Sequence, residues 1–367
     1  MINFAKNDEK KMKKFFLLII ASLSVFSSLA CTSAIVSGKA TASGRPILWK
    51  HRDTGAPQNF VAKIAPENGN HGFVAVFNDG DSLFTEAWMG MNDAGFAIMN
   101  TASYNLMPDT ATVKDREGIV MKLALQTCTT LEDFEALLQS MPKPLGVQAN
   151  FGVLDANGRG AYYETDDFAF TRFLVDDTDA GYIIRTNYSH SGDSVSGYGY
   201  IREANALALT SDAAANRSFT PELFTEGLSR SFYHSLLDKD FMAAGDTWAV
   251  DQDFIPRNIS TASVAIEGML PGEDASVMTM WTAIGYPPLS RIFAVTLDVV
   301  PQQLQPLLPG FTSEYGNAML ERKKEAFPIG RGSGPHYVNL DAIRKYDAEL
   351  RKQSAEEYAR RREEMSR

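Results

Sequence analysis

Cysteine is almost missing from this chain: Cys31 and Cys128 are the only two among 367 residues. A lone pair is not a disulfide framework, so the fold must rest on a core. Histidine is scarce as well. His51, His71, His190, His234 and His336 are scattered without ligand spacing, which speaks against a zinc site, and no metal or organic cofactor is called for. Basic excess is lacking: 35 Lys and Arg stand against 45 Asp and Glu, a net charge of −10. Residues 1–30 hold five Lys and two acidic residues, leaving the chain from Cys31 at −13. Such a chain repels nucleic acid and anionic membranes. Beyond residue 30 no apolar run approaches the roughly 18 residues of a membrane span. The glycines of GRGSGPH near residue 330 lack the Lys-Ser/Thr of a phosphate loop and read as a plain loop. There is no internal repeat and no long linker.

What is present begins at the N-terminus. Met12-Lys13-Lys14 followed by FFLLIIASLSVFSSLA has the basic start, apolar middle and small-residue end of a secretory leader, with Ser28 and Ala30 at the third and first positions before Cys31. Cleavage there would export the protein to the periplasm or the extracellular space. The rival is a lipoprotein signal, which would acylate Cys31. Its spacing fits worse, because Ser28 and Leu29 stand the wrong way round. The division expected is residues 1–30 leader, 31–335 a single domain, and 336–367 a charged C-terminal helix fraying into solvent.

Strands are expected at TSAIVSG and PILWKHRD around a Ser43–Pro46 turn, then at FVAKIAP, GFVAVFND, SLFTEAWM, GFAIMN, the FGVLDANGRGAYYET hairpin, AGYIIRTNY, TASVAIEG, VMTMWTAIG and RIFAVTLDV. Helical spacing runs through 116–141, with Thr130 a cap, and through YGYIREANALAL and TPELFTEGLSRSFYHSLL. Cys128, in register with Met121 and Leu125, reads as a core thiol. Strands, then helices, then strands and a helix imply stacked layers of sheet and helix.

A cleaved Cys31 would carry a thiol and a free α-amine on one residue. An amine of pKa about 7.7–8.0 is suited to act as base for its own thiol. Before cleavage that nitrogen is an amide, so export and activation would be one event. Such a site also needs an anion for the ammonium and donors for an oxyanion. Asp53 can supply the anion if the second strand returns beside the first. Lys50, His51 and Arg52 add cations that would lower the thiol pKa, with Lys50 and Arg52 on one strand face and His51 and Asp53 on the other.

Cys31-Thr32, Gly38-Lys39-Ala40, Gly44 and the Asp53 of WKHRD, followed by GMNDAGFAIMN and Arg185-Thr186-Asn187, resemble N-terminal nucleophile (Ntn) hydrolases of the linear-amide type. These comprise penicillin V acylase and bile salt hydrolase, the dipeptidase A family, and the acyl-coenzyme A:6-aminopenicillanic acid acyltransferase family. FGVLDANGRGAYYE and TASVAIEG with WTAIGYP resemble the acyltransferase-like branch. The resemblance implies an α+β fold, a four-layer αββα sandwich, with Cys31 as nucleophile and Asp53 at its amine. It implies that Asn187 and Asn100 (or Asn105, close by) supply amide donors. Arg202 resembles an arginine near the relatives' substrate site. Lys50 is a departure, since relatives commonly place arginine three residues before this aspartate; Arg52 is the alternative cation. Trp88, with Met89, Met91, Phe96 and Tyr104, would line an acyl pocket or belong to the core. The activity implied is cleavage of a small linear amide, such as an N-acyl amino acid, bile-salt conjugate or penicillin V, with acyl transfer and a lipid-anchored binding protein as rivals. A homo-oligomer stays open.

Overall fold

The computed structural model describes residues 30–107, 111–332 and 334–366; the leader reading for residues 1–29 lies outside them. Two antiparallel sheets stack face to face. The first has six strands in the order β10-β1-β2-β11-β12-β13, with β1 Thr32–Val36, β2 Ile47–Asp53, β10 Tyr182–Arg185, β11 Ser260–Glu267, β12 Thr279–Ile284 and β13 Phe293–Val295. The second is a seven-stranded meander running β3 to β9: Asn59–Ile64, Phe73–Asn78, Met89–Asn92, Ala97–Ala102, Ala149–Leu154, Gly160–Thr165 and Phe170–Leu174.

Three apolar layers hold these sheets. Between them lie Ile35, Leu48, Val264 and Ile266 of one sheet against Val74, Val76, Met91 and Met99 of the other. The meander's outer face, with Phe60, Phe73, Phe77, Phe151 and Tyr163, is covered by α1 (Glu117–Thr127) and α2 (Leu131–Ser140) through Met121, Leu125, Phe134 and Leu138. The six-stranded sheet turns Trp49, Ile47, Ala265 and Trp281 outward against Ala206 of α3 (Tyr200–Asn216), Phe224, Leu228 and the C-terminal helix. This is the αββα order. It explains why β2 and β11 have no solvent-exposed face: sheets covered on both sides bury both sets of side chains, and all residues of both strands are buried, Lys50 to Asp53 included.

Three local expectations change. Residues 221–237 are not one helix. The chain makes a π turn at Leu223–Gly227 and a 3-10 turn at Leu228–Arg230, then reverses into a short hairpin at Tyr233–His234 and Lys239–Asp240. The buried Arg230 is the reason: it donates to the Ser290 carbonyl at 2.9 Å and to Asp347 at 2.8 Å, drawing the chain off the helical path. The second change is at SLFTEAWM, where the strand begins only at Met89. Third, the C-terminal helix, Leu340–Ser366, does not fray into solvent. It buries Ile343, Leu350 and Tyr358, the last stacked on Trp281 with ring centroids 4.1 Å apart. Its charge is one face of a packed helix. A helix at Glu314–Ala326 (α4, the C-terminal helix being α5) escaped the sequence reading, because its mixed EYGNAMLERKKEA buries only Gly316, Met319 and Ala326.

Candidate active site

Register builds the site. β1 and β2 pair with Thr32 opposite His51 and Ser33 opposite Lys50, which brings Cys31, just before β1, alongside Arg52. Alternation then sends Lys50 and Arg52 between the sheets and His51 to the outer face. Cys31 is 5% exposed, and its thiol lies 3.7 Å from the Asp53 carbonyl oxygen.

Two cations enter the inter-sheet layer without an acid. Lys50 Nζ donates to Asn100 Oδ1 at 2.7 Å and to the Trp88 carbonyl at 3.2 Å. Arg52 donates to Asn59 and, at 2.7 Å, to Asn78, and lies 4.9 Å from the centre of the Trp88 ring. Neither pairs with a carboxylate among the described residues. Burial holds the Lys50 ammonium down to about 8 and the Arg52 guanidinium down to about 10, although negative charge on Cys31 would raise both. Trp88 Nε1 is buried with no acceptor among the described residues.

The carboxylate of Asp53 faces the other way, into a polar cluster. It accepts from Ser260 Oγ, and from Arg257 Nη2 at 2.7 Å and Nε at 3.2 Å. The same Arg257 Nη2 donates to the Ala30 carbonyl at 3.0 Å. One guanidinium nitrogen therefore bridges the aspartate and the peptide bond that precedes Cys31. Arg202 holds the carbonyl on the other side of Cys31, with Thr32 Oγ1 at 3.1 Å and Asn187 Oδ1 at 2.8 Å. It is 1% exposed, so it is not a helix-surface arginine. Its approach depends on Gly199, which has φ 97° and where a Cβ would stand 2.5 Å from Arg202 Nη2.

Of the two asparagine candidates, Asn105 is committed to the backbone. It spans Ser189 and Asp193 with both ends of its amide and pins that loop. Asn100 instead meets Lys50. Asn187 gives one amide hydrogen to the Ala102 carbonyl at 2.8 Å, leaving a second for another acceptor. The loop after Asn187 is held by Glu164, which pairs with Arg185 at 2.7 Å and accepts from the His190 and Ser191 amides.

His51 does not belong with the cations expected around the thiol. It sits on the outer face, bonded to Ser260 Oγ at 2.9 Å, and burial pulls it down to about 4, so it is neutral at physiological pH. Met89, Met91 and Phe96 are core. Tyr104 lines a cavity of about 560 Å³ with Leu106, Met107, Phe170 and the acids Glu164 and Asp166. Burial raises the Tyr104 phenol, and charge on Cys31 adds to the rise. Cys128 is a buried core thiol, pushed up to about 12 by burial. Arg257 and Ser260 carry no recognisable signal in the chain. In FIPRNIS an arginine after proline reads as a turn, and only the pairing of β11 with β2 carries it to Asp53.

Residues 65–229 match the model of the acyl-coenzyme A:6-aminopenicillanic acid acyl-transferase family. That span holds Trp88, Asn100, Asn187 and Arg202 but begins after Cys31 and Asp53. No curated protein matches the chain. Among solved structures, a Caenorhabditis elegans ortholog of N-acylethanolamine-hydrolyzing acid amidase is similar with TM-score 0.47 and 14% identity, over 66% of this chain and 94% of that one. A mutant of the conjugated bile acid hydrolase of Clostridium perfringens gives TM-score 0.45 and 10% identity over 73% and 92%. Penicillin V acylase of Agrobacterium tumefaciens gives 0.41 and 13% over 74% and 87%. The resemblance drawn from the ordered motifs is thus met, over residues 65–229, by a match to one of the families it named, the acyl-coenzyme A:6-aminopenicillanic acid acyl-transferases.

Proposed function

We propose that this chain is an exported cysteine amide hydrolase that works once the Ala30–Cys31 bond is cut. The observation that carries the reading is the bridge at Arg257: the carbonyl before Cys31 and the Asp53 carboxylate share one guanidinium nitrogen. Cutting the bond would leave the new ammonium beside that carboxylate, the anion it needs. The amine takes the thiol proton and the thiolate attacks the amide carbonyl. The free amide hydrogen of Asn187, with Asn100, donates to the tetrahedral oxyanion. The intermediate collapses, the leaving amine takes the proton back from the ammonium, and a thioester remains. Water, deprotonated by the same α-amine, attacks the thioester and releases the carboxylic acid and the thiol. Lys50 and Arg52 keep the inter-sheet side positive, which favours a substrate with an anionic group, N-acyl amino acids among them.

The match to an acyl-transferase family supports a second reading, in which an amine takes the acyl group in place of water. The test is a panel of bile-salt conjugates, penicillin V, N-acyl amino acids and dipeptides, offered to the mature protein and to Cys31→Ala, with and without added hydroxylamine. Turnover by the mature protein alone is expected. Equal turnover by both would remove Cys31 from the mechanism, and hydroxamate formed in preference to acid would favour transfer. Intact mass supplies the other check: a chain starting at unmodified Cys31 is expected, and a diacylglyceryl adduct would end the proposal.

A further inference from the structure

Ser260 touches more than Asp53. Its Oγ donates to the aspartate, while its carbonyl accepts from Lys323 Nζ of α4 at 3.3 Å. Lys323 lines a cavity of about 310 Å³ whose other walls include Pro57, Ile259, Thr261, Leu320 and Phe327. Apart from that carbonyl, the ammonium lies 5.6 Å from the centre of the Tyr286 ring and pairs directly with no carboxylate among the described residues, although the charges of Asp53 and Asp251 act on it from farther off. Burial lowers it to about 8. On the same cavity, Thr261 is 2% exposed, and its hydroxyl has no partner among the described residues.

A desolvated cation and an unsatisfied buried hydroxyl are each costly. Both are donors, and one oxyanion would satisfy both. The apolar part of the wall is Pro57, Ile259, Leu320 and Phe327, with Thr54, Asn258 and Lys324 also on the lining, and the space exceeds what a bare ion fills. We propose that this cavity binds a compact carboxylate with an apolar body, its head on Lys323 and Thr261, at a site distinct from the nucleophile. Through Ser260 an occupant would bear on the hydrogen bond that holds Asp53. An inorganic oxyanion shares the head-group chemistry but would leave the apolar walls unused.

The test titrates benzoate, acetate and inorganic phosphate separately into the mature protein by calorimetry. Benzoate is expected to bind at least tenfold tighter than either other ion. Lys323→Met should weaken it at least tenfold and Thr261→Val several-fold, while Lys50→Met should leave it unchanged. Benzoate binding that survives Lys323→Met, or that disappears with Lys50→Met, would overturn the site, as would no binding at all. Phosphate binding more tightly than benzoate would overturn the apolar body. If circular dichroism shows Lys323→Met unfolded, Thr261→Val, which keeps the charge, decides by the same criterion.

Discussion

Lys50 is the residue at which chemistry and stability part company. Its ammonium, lowered to about 8 chiefly by desolvation, loses its proton in the folded protein while an unfolded lysine keeps it to about 10.4. Between those values the unfolded chain binds more protons, so this residue's contribution to stability rises with pH. Its contribution to a positive inter-sheet field falls over the same range. The log of kcat/KM should therefore bend downward near pH 8, and Lys50→Arg should move that bend upward, because a guanidinium stays charged. A bend left in place would assign it to another group. Arg257 is the second test. Arg257→Gln removes the charge bridging Ala30 and Asp53. In the mature protein kcat should fall about tenfold or more, the cost of leaving a buried carboxylate without its cation. N-terminal sequencing of the same variant shows whether Cys31 is still exposed by cleavage. A kcat within twofold of the parent would mean that Asp53 does not need this partner.

Among the elements, α2 is the most independent in sequence and the most committed in structure. Thr130 caps it with a full capping box to Asp133, the sort of local signal that reads without a fold. Its burial is long-range: the Phe134 ring meets Phe96, Phe151 and Tyr163 of the meander at 5.1–6.2 Å between centroids. Phe134→Ala should cost about 3–5 kcal/mol, and Thr130→Ala about 1 kcal/mol. Urea midpoints with unchanged slopes would check both. A smaller cost for Phe134 than for Thr130 would mean that this helix is held by its cap and not by the sheet. The hairpin at 233–240 makes the opposite case. Its residues keep helical apolar spacing, yet the buried Arg230 overrides it, because an unpaired buried guanidinium costs more than a few residues of helix propensity.

At the scale of the molecule, α5 is a layer and not a tail. Tyr358 bonds Thr225 and stacks on Trp281, Glu357 accepts from the Ala294 amide at 2.9 Å, and Ile343 belongs to the core beneath Phe232 and Leu289. A chain ending at residue 340 should lose the cover over the six-stranded sheet and appear as aggregate or as a dye-binding, loosely packed state. A soluble truncation with native thermal stability would return this helix to the role of a dangling tail.

Cys31, Asp53 and the strand pair joining them were legible in the chain itself, since turn chemistry and two short apolar runs specify a local hairpin. So was the placing of Lys50 and Arg52 on one strand face and of His51 and Asp53 on the other, which follows from alternation alone; that the first face is the inter-sheet one was not. The ordered motifs also brought Asn100, Asn187 and Arg202 into view, though not their partners. What only the tertiary structure decided was non-local. It put Arg257 on Asp53, 204 residues away in sequence, Arg202 on the carbonyl of Cys31, and Ser260 between His51 and Asp53. The physical reason is that propensity and periodicity act over a few residues. Which arginine reaches a buried carboxylate, and which helix covers a sheet, is settled by strand order and by the cost of leaving charge and apolar area unpaired.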